Sequence, residues 1–248
     1  MITHPFKTIL GNIPDGWEAV QLRRLLSSHT SGEWGAEDGD VGVKIIRSTN
    51  FTDAGHLDLS DVAVRYFSER NVERFGLAAG DILLERSGGG PDQPVGRVGF
   101  VESDLGWFWA SNFVQVLHPD PQLINSRYLG WILFELQRTG LVERFQQQST
   151  QMRNLNYRDY LRMLVPVPPM STQKSIAEAI DAATQAVFCL QAEVNAAKRV
   201  KDSMLQTLLI GSGPGGLRCL KLWRVQTRTP YARFLARRPL SNARSSSI

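Results

Sequence analysis

From Ile176 onward the apolar or alanine positions fall at Ile176, Ile180, Ala183, Val187, Leu190, Val194 and Ala197, then Lys201, then Met204 and Leu208. This four-three alternation predicts one long helix over 171–211 that carries the seam of a coiled coil. At ~1.5 Å per residue the helix would be about 55–60 Å long, too far to be covered by a domain of ordinary size, so the seam calls for a partner helix. The alternative is a helix folded back on its own domain. Lys201 is the one charged seam member, a device that fixes register or partner at some cost in stability.

Upstream, strand-like runs occur at Val43-Lys-Ile-Ile46, Asp81-Ile-Leu-Leu84, Val95 to Val101 and Trp107 to Leu117, punctuated by the turn formers Gly, Asp and Asn. One helix interrupts them. Asn125 or Ser126 is placed to cap it, Leu129, Ile132, Leu133 and Leu136 share one face, and Gly140 is placed to end it. Val165-Pro-Val-Pro-Pro169 then stops whatever precedes it, and Ser171-Thr172 can cap the long helix. The pattern predicts an α+β chain: one globular domain over 12–168, a coiled-coil-forming helix over 171–211, and a tail over 212–248.

Charge changes the picture of that tail. The chain holds 28 basic and 24 acidic residues and has a pI near 9.3. Eight of the basic residues and none of the acidic ones lie in 212–248, so that segment is +8 and residues 1–211 are −4. Overall basicity is therefore no argument for nucleic-acid binding, and any such case must rest on local patches. Gly213-Pro-Gly-Gly216 and Ser245-Ser-Ser247 mark the tail as unstructured, and its composition fits truncation or a frame change in a longer gene. A hydrophobic share of 42% excludes wholesale disorder. Apolar stretches such as 128–136 are broken long before a bilayer could be crossed, and Met1 to Leu10 lacks a signal layout, so no membrane role is expected. The two cysteines, Cys189 and Cys219, are too few for a disulfide framework and point to a reducing cytoplasm.

No enzymatic signature is legible. Gly88-Gly-Gly90 with Gly96 and Gly99 fits no phosphate-binding spacing. His4, His29, His56 and His118 are too scattered for a metal, and Pro91-Asp92 with Glu102 and Asp104 lacks the lysine that would complete a nuclease cluster. No cofactor is implied. Local DNA-reading chemistry is better represented. The loop Arg86 to Arg97 carries Arg86, Ser87, Gln93 and Arg97 among glycines that let backbone approach a ligand; arginine pairs with guanine and glutamine with adenine. A second segment, Arg144 to Asn156, holds Arg144, Gln147, Arg153 and Asn156. Ordinary solvated loops are the plain alternative for both. Alternation assigns Trp107-Phe-Trp109 and Phe113 to core or sheet-face packing and not to base stacking.

Several short patterns occur in a fixed order: Pro14-Asp-Gly-Trp-Glu18 with Leu22, Ile46-Arg-Ser-Thr-Asn50 with Asp53-Ala-Gly55, and Gly80-Asp-Ile-Leu83 before the glycine loop. Ser149-Thr150 with Leu155, Leu164-Val-Pro-Val-Pro-Pro169, Gln173, Ile176-Ala177, Ile180-Asp181, and Lys201 with Leu205 to Gly211 follow. Together, over about 12–211, they resemble the specificity subunit of type I restriction-modification systems, in a form with one target-recognition domain. Two departures stand out: Thr172 occupies a position where that family usually has Glu, and the usual second domain and second helix have no counterpart. The resemblance implies a non-catalytic subunit that selects double-stranded DNA at a bipartite site for methyltransferase (M) subunits and a restriction/translocase (R) subunit. It also implies a homodimer, or pairing with another half-length subunit, through the long helix. The other reading is a truncated relative acting only as an interaction or regulatory module for the methyltransferase.

Overall fold

A computed structural model describes residues 7–209 apart from 9, 90–93 and 149–152. In chain order the strands are β1 (Lys7–Thr8), β2 (Gly11–Asn12), β3 (Glu18–Gln21), β4 (Leu26–Ser31), β5 (Val41–Ile46), β6 (Ala63–Phe67), β7 (Ile82–Glu85), β8 (Ser87–Gly89), β9 (Val98–Phe100), β10 (Phe108–Ala110) and β11 (Val114–Pro119). Helix α1 (Ser126–Arg138), strands β12 (Gln146–Gln148) and β13 (Arg153–Leu155), helix α2 (Tyr157–Tyr160), strand β14 (Leu164–Val167) and helix α3 (Met170–Leu209) complete the order. The expected α+β class with a long final helix is what forms. The chain divides into two units, 1–183 and 184–248.

In the first unit the central sheet has the order β4-β11-β7-β9, with antiparallel pairing throughout. Its middle strand β7 is buried along its whole length, because side chains alternate between two cores. Ile82 and Leu84 enter a cluster with Leu117, Leu129, Leu133 and Leu136, while Leu83 enters a second cluster with Val43, Ile45, Trp109 and Val116. An unbroken apolar run is the signature of a strand covered on both faces. The second core is closed by a sheet of order β10-β5-β6, in which β10 runs parallel to β5. The first is closed by α1, where the Asn125 side chain accepts the Tyr128 N–H at 2.9 Å. Gly130 is required there: a Cβ would sit 2.3 Å from the Phe100 ring. Gly140, at φ 73°, follows the helix in the left-handed region.

Helix α3 differs from its expected role in its first turns. Ile176 and Ile180, expected on the partner seam, pack against the first core, and Ala177, off the seam, is buried. Polar anchors decide this face. Gln173, 1% exposed, accepts the Asn125 N–H at 2.7 Å and donates to Pro168 O at 2.9 Å. Asp181 accepts from Arg127 Nε at 2.7 Å and from Trp131 Nε1 at 2.8 Å. Ala183 is exposed.

In the second unit, α3 continues to Leu209, and Val187, Leu190, Val194, Met204 and Leu208 are all exposed, as is Lys201. Ion pairing of Lys201 is with its neighbour Asp202, at 3.4 Å. The tail 212–248 lies outside the described residues.

Candidate nucleic-acid interface

The two segments singled out in the sequence, sixty residues apart, meet in one small sheet of order β12-β13-β8. Arg153 lies opposite Gly89, Asn154 opposite Ser87, and Gln147 opposite Asn154. The link between β7 and β8 is pinned on both sides. The Arg86 N–H donates to Phe113 O at 2.7 Å, and Arg86 O accepts the Leu155 N–H at 2.8 Å. Because β7 is held in the double-sided core, Arg86 and Ser87 emerge from it at a fixed place, both half-buried.

Each expected site residue has a distinct setting. Gln147 is exposed on β12, and Arg144 is exposed in the turn of 3-10 helix Leu141–Phe145 just before it. Arg153 is half-buried, and its Nε has no hydrogen-bond partner among the described residues. Asn156 is turned to local use: its Oδ1 accepts the Asp159 N–H and its Nδ2 donates to Asp159 Oδ2 at 2.6 Å, capping α2. Arg97 is engaged inward. Its Nε and Nη2 donate to both oxygens of Glu85 at 3.0 Å, and Nη2 also donates to Ser48 O at 3.0 Å. Glu85 is 2% exposed. The hydrogen bonds to Glu85 hold the Arg97 pKa above its ordinary value against the opposing effect of burial. Gln93 lies outside the described residues.

Three side chains that sequence reasoning did not select, Tyr157, His29 and Phe113, join this surface. Tyr157 meets His29 edge to face, with ring centroids 5.4 Å apart. Burial pushes the Tyr157 hydroxyl pKa well up, and the positive charge of Arg86 opposes that rise. His29 lies on edge strand β4, where Ser27 to Ser31 are all exposed; its pKa is held below 6.5 first by burial, then by Arg23 and His118. Phe113 is 40% exposed and Trp107 58%, whereas Trp109 is buried as expected. A turn at Ser111–Phe113 breaks the strand between β10 and β11, so alternation fails for Phe113. A run of five exposed polar residues at 27–31 was the available signal for His29.

Elsewhere, histidines pair with carboxylates: His118 Nδ1 lies 2.7 Å from Asp81 Oδ1 and His56 Nδ1 lies 2.9 Å from Glu102 Oε1. Among the described residues no His, Cys, Asp and Glu cluster could hold a metal, and no helix is long and apolar enough to cross a membrane.

Comparison with known proteins gives one consistent direction. The family described as type I restriction modification DNA specificity domain matches residues 14–196. A curated relative, the putative type I restriction enzyme MjaX specificity subunit of Methanocaldococcus jannaschii, is 21% identical over 204 residues, covering 82% of this chain and 47% of its own length. The fold resembles the HsdS subunit of Thermoanaerobacter tengcongensis at a TM-score of 0.56 and 15% identity, covering 82% of this chain and 51% of that one. It also resembles the type I system S subunit of M. genitalium, at 0.54 and 15%, covering 90% and 53%. The chain spans about half the length of each.

Proposed function

Because the chain belongs to the type I restriction modification DNA specificity domain family, we propose that it reads double-stranded DNA for a type I restriction-modification assembly and performs no chemistry itself. In this role its partners are methyltransferase subunits, which modify the selected site, and a restriction/translocase subunit. The observation that carries the reading is the β12-β13-β8 sheet, in or beside which Arg86, Ser87, Arg144, Gln147 and Arg153 come together from two distant segments. Arginine and glutamine are the side chains that make paired hydrogen bonds to guanine and adenine in the major groove, and a short β-ribbon fits that groove.

Arg97 and Asn156 serve this surface as positioning residues. Arg97 ties β7 to Ser48, and Asn156 caps the helix that carries Tyr157. The half-length chain supplies one recognition domain, and the exposed seam from Val187 to Leu208 supplies the surface for a second copy or another half-length subunit. Antiparallel pairing of two such helices relates two identical domains by a two-fold axis, so a homodimer reads an interrupted palindrome.

The test is selection from a randomised duplex library with the full chain and its methyltransferase. Arg86→Ala, Gln147→Ala and Arg153→Ala should each cost ~1–3 kcal/mol and relax preference at one base position if they read bases, or weaken all sequences equally if they reach phosphate. Variants that bind and select as the parent does would remove this sheet from the interface.

A further inference from the structure

Strands β5 and β10 are parallel neighbours that end level, with Ile46 opposite Ala110. The residues that follow them, Arg47-Ser-Thr49 and Ser111-Asn-Phe113, therefore leave the sheet side by side and line a cavity of about 400 Å³ together with Trp34. Its walls are fixed. The Ser111 N–H donates to Ile46 O at 2.9 Å, and the Arg65 guanidinium lies 4.4 Å from the Trp34 ring. Arg97 Nη2 holds Ser48 O, while the N–H groups of Arg86 and Ser87 both donate to Phe113 O. The same two residues that open the reading sheet thus anchor one wall of the cavity.

The lining has an unused polar complement. Ser111 is 2% exposed, yet its Oγ has no hydrogen-bond partner among the described residues; Arg47 Nε, also buried, has none either, although Arg47 Nη2 donates to Asp61 O at 3.2 Å. Buried polar groups in a folded protein are nearly always paired, so an unpaired hydroxyl and an unpaired guanidinium N–H on two residues that line a cavity mark a place for a polar guest. Trp34 and Phe113 add flat apolar surface. A planar ring bearing donors and acceptors on its edge satisfies both requirements, and the ring nearest to a DNA-reading sheet is a nucleobase.

We propose that this cavity is a subsite for one unstacked nucleobase of the bound DNA, stacked on Phe113 or Trp34 and read at its edge by Ser111 Oγ and Arg47 Nε. The inference rests on the DNA-reading proposal. It adds a determinant of sequence choice that neither arginine-bearing segment contains, one that works by extruding a base and not by reading a stacked one.

The experiment uses the full chain, a sequence selected from a randomised duplex library, and base-specific chemistry for unstacked bases: permanganate for thymine, diethyl pyrocarbonate for purines and hydroxylamine for cytosine. One position should become hyper-reactive on binding. Phe113→Ala should abolish that signal and lower affinity for the selected duplex roughly five- to a hundredfold, the worth of one stacked base. Ser111→Val should change the preferred base there; Asn112→Ala, at the exposed rim, serves as a second variant should Ser111→Val fail to fold. Binding to unselected DNA should be unaffected. A selected sequence without any reactive base, bound equally well by all three variants, overturns the subsite and leaves DNA reading intact. Failure to select any sequence overturns the DNA-reading proposal and the subsite with it.

Discussion

Arg97 and Arg86 share a residue type and a loop, yet the fold gives them opposite duties. Arg97 meets a nearly buried carboxylate, and its side chain is 19% exposed against 3% for Glu85. Removing the arginine strands a charge that cannot reach water, so Arg97→Ala should destabilise the domain by ~3–5 kcal/mol in denaturant titration. Glu85→Ala should cost less, since the freed guanidinium can turn toward solvent. A wild-type stability for Arg97→Ala, with altered preference at one base, would return Arg97 to direct reading. His29 offers a second measurement. Its folded-state pKa lies below the ordinary 6.5 because burial and the charges of Arg23 and His118 disfavour the cation. The folded protein therefore binds fewer protons than the unfolded chain just below pH 6.5, and stability from this group falls as pH drops through that window. Arg23→Ala should raise the His29 midpoint in an NMR titration without restoring 6.5, because burial is the larger cause.

At the scale of elements, α3 carries two different surfaces on one periodicity. Its first turns use Gln173, Ile176, Ala177, Ile180 and Asp181 against the domain, and from Val187 the apolar positions are exposed. Gln173→Ala leaves the Asn125 N–H without its acceptor at a half-buried helix start and should cost ~1–3 kcal/mol. Val187→Asp with Leu190→Asp should leave the melting transition of the globular unit unchanged and abolish self-association or partner binding in analytical ultracentrifugation. Global unfolding of that double variant would place the whole helix in the core.

For the whole molecule, the proposed pairing of two copies through α3 would join identical domains through identical helices, and a modified DNA motif with two matching halves is then expected. Deleting one heptad, residues 190–196, should change the spacer and leave the half-site letters unchanged in methylome sequencing of cells carrying the chain with its methyltransferase. Two unrelated halves would show that a different half-length subunit supplies the second domain. Ending the chain at Gly211 should leave sequence choice unaltered, since the tail's positive charge can strengthen only phosphate contacts, which carry no base information and weaken with salt.

What the sequence determined by itself were features that depend on near neighbours. A cap at Asn125 or Ser126, the face Leu129, Ile132, Leu133 and Leu136, the stop at Gly140, the strand at Asp81 to Leu84 and the four-three seam of the long helix each follow from side chains within a turn or two of one another. Only the tertiary structure decided what distant segments do to each other. It joined β8 to β12 and β13, turned Arg97 inward onto Glu85 and Ser48, packed Ile176 and Ile180 against the core, and set Ser111 beside Arg47 at the ends of two parallel strands. The physical reason is that periodicity reports which face of an element is apolar, whereas a pairing across sixty residues is chosen by the packing of the whole and leaves no spacing to read.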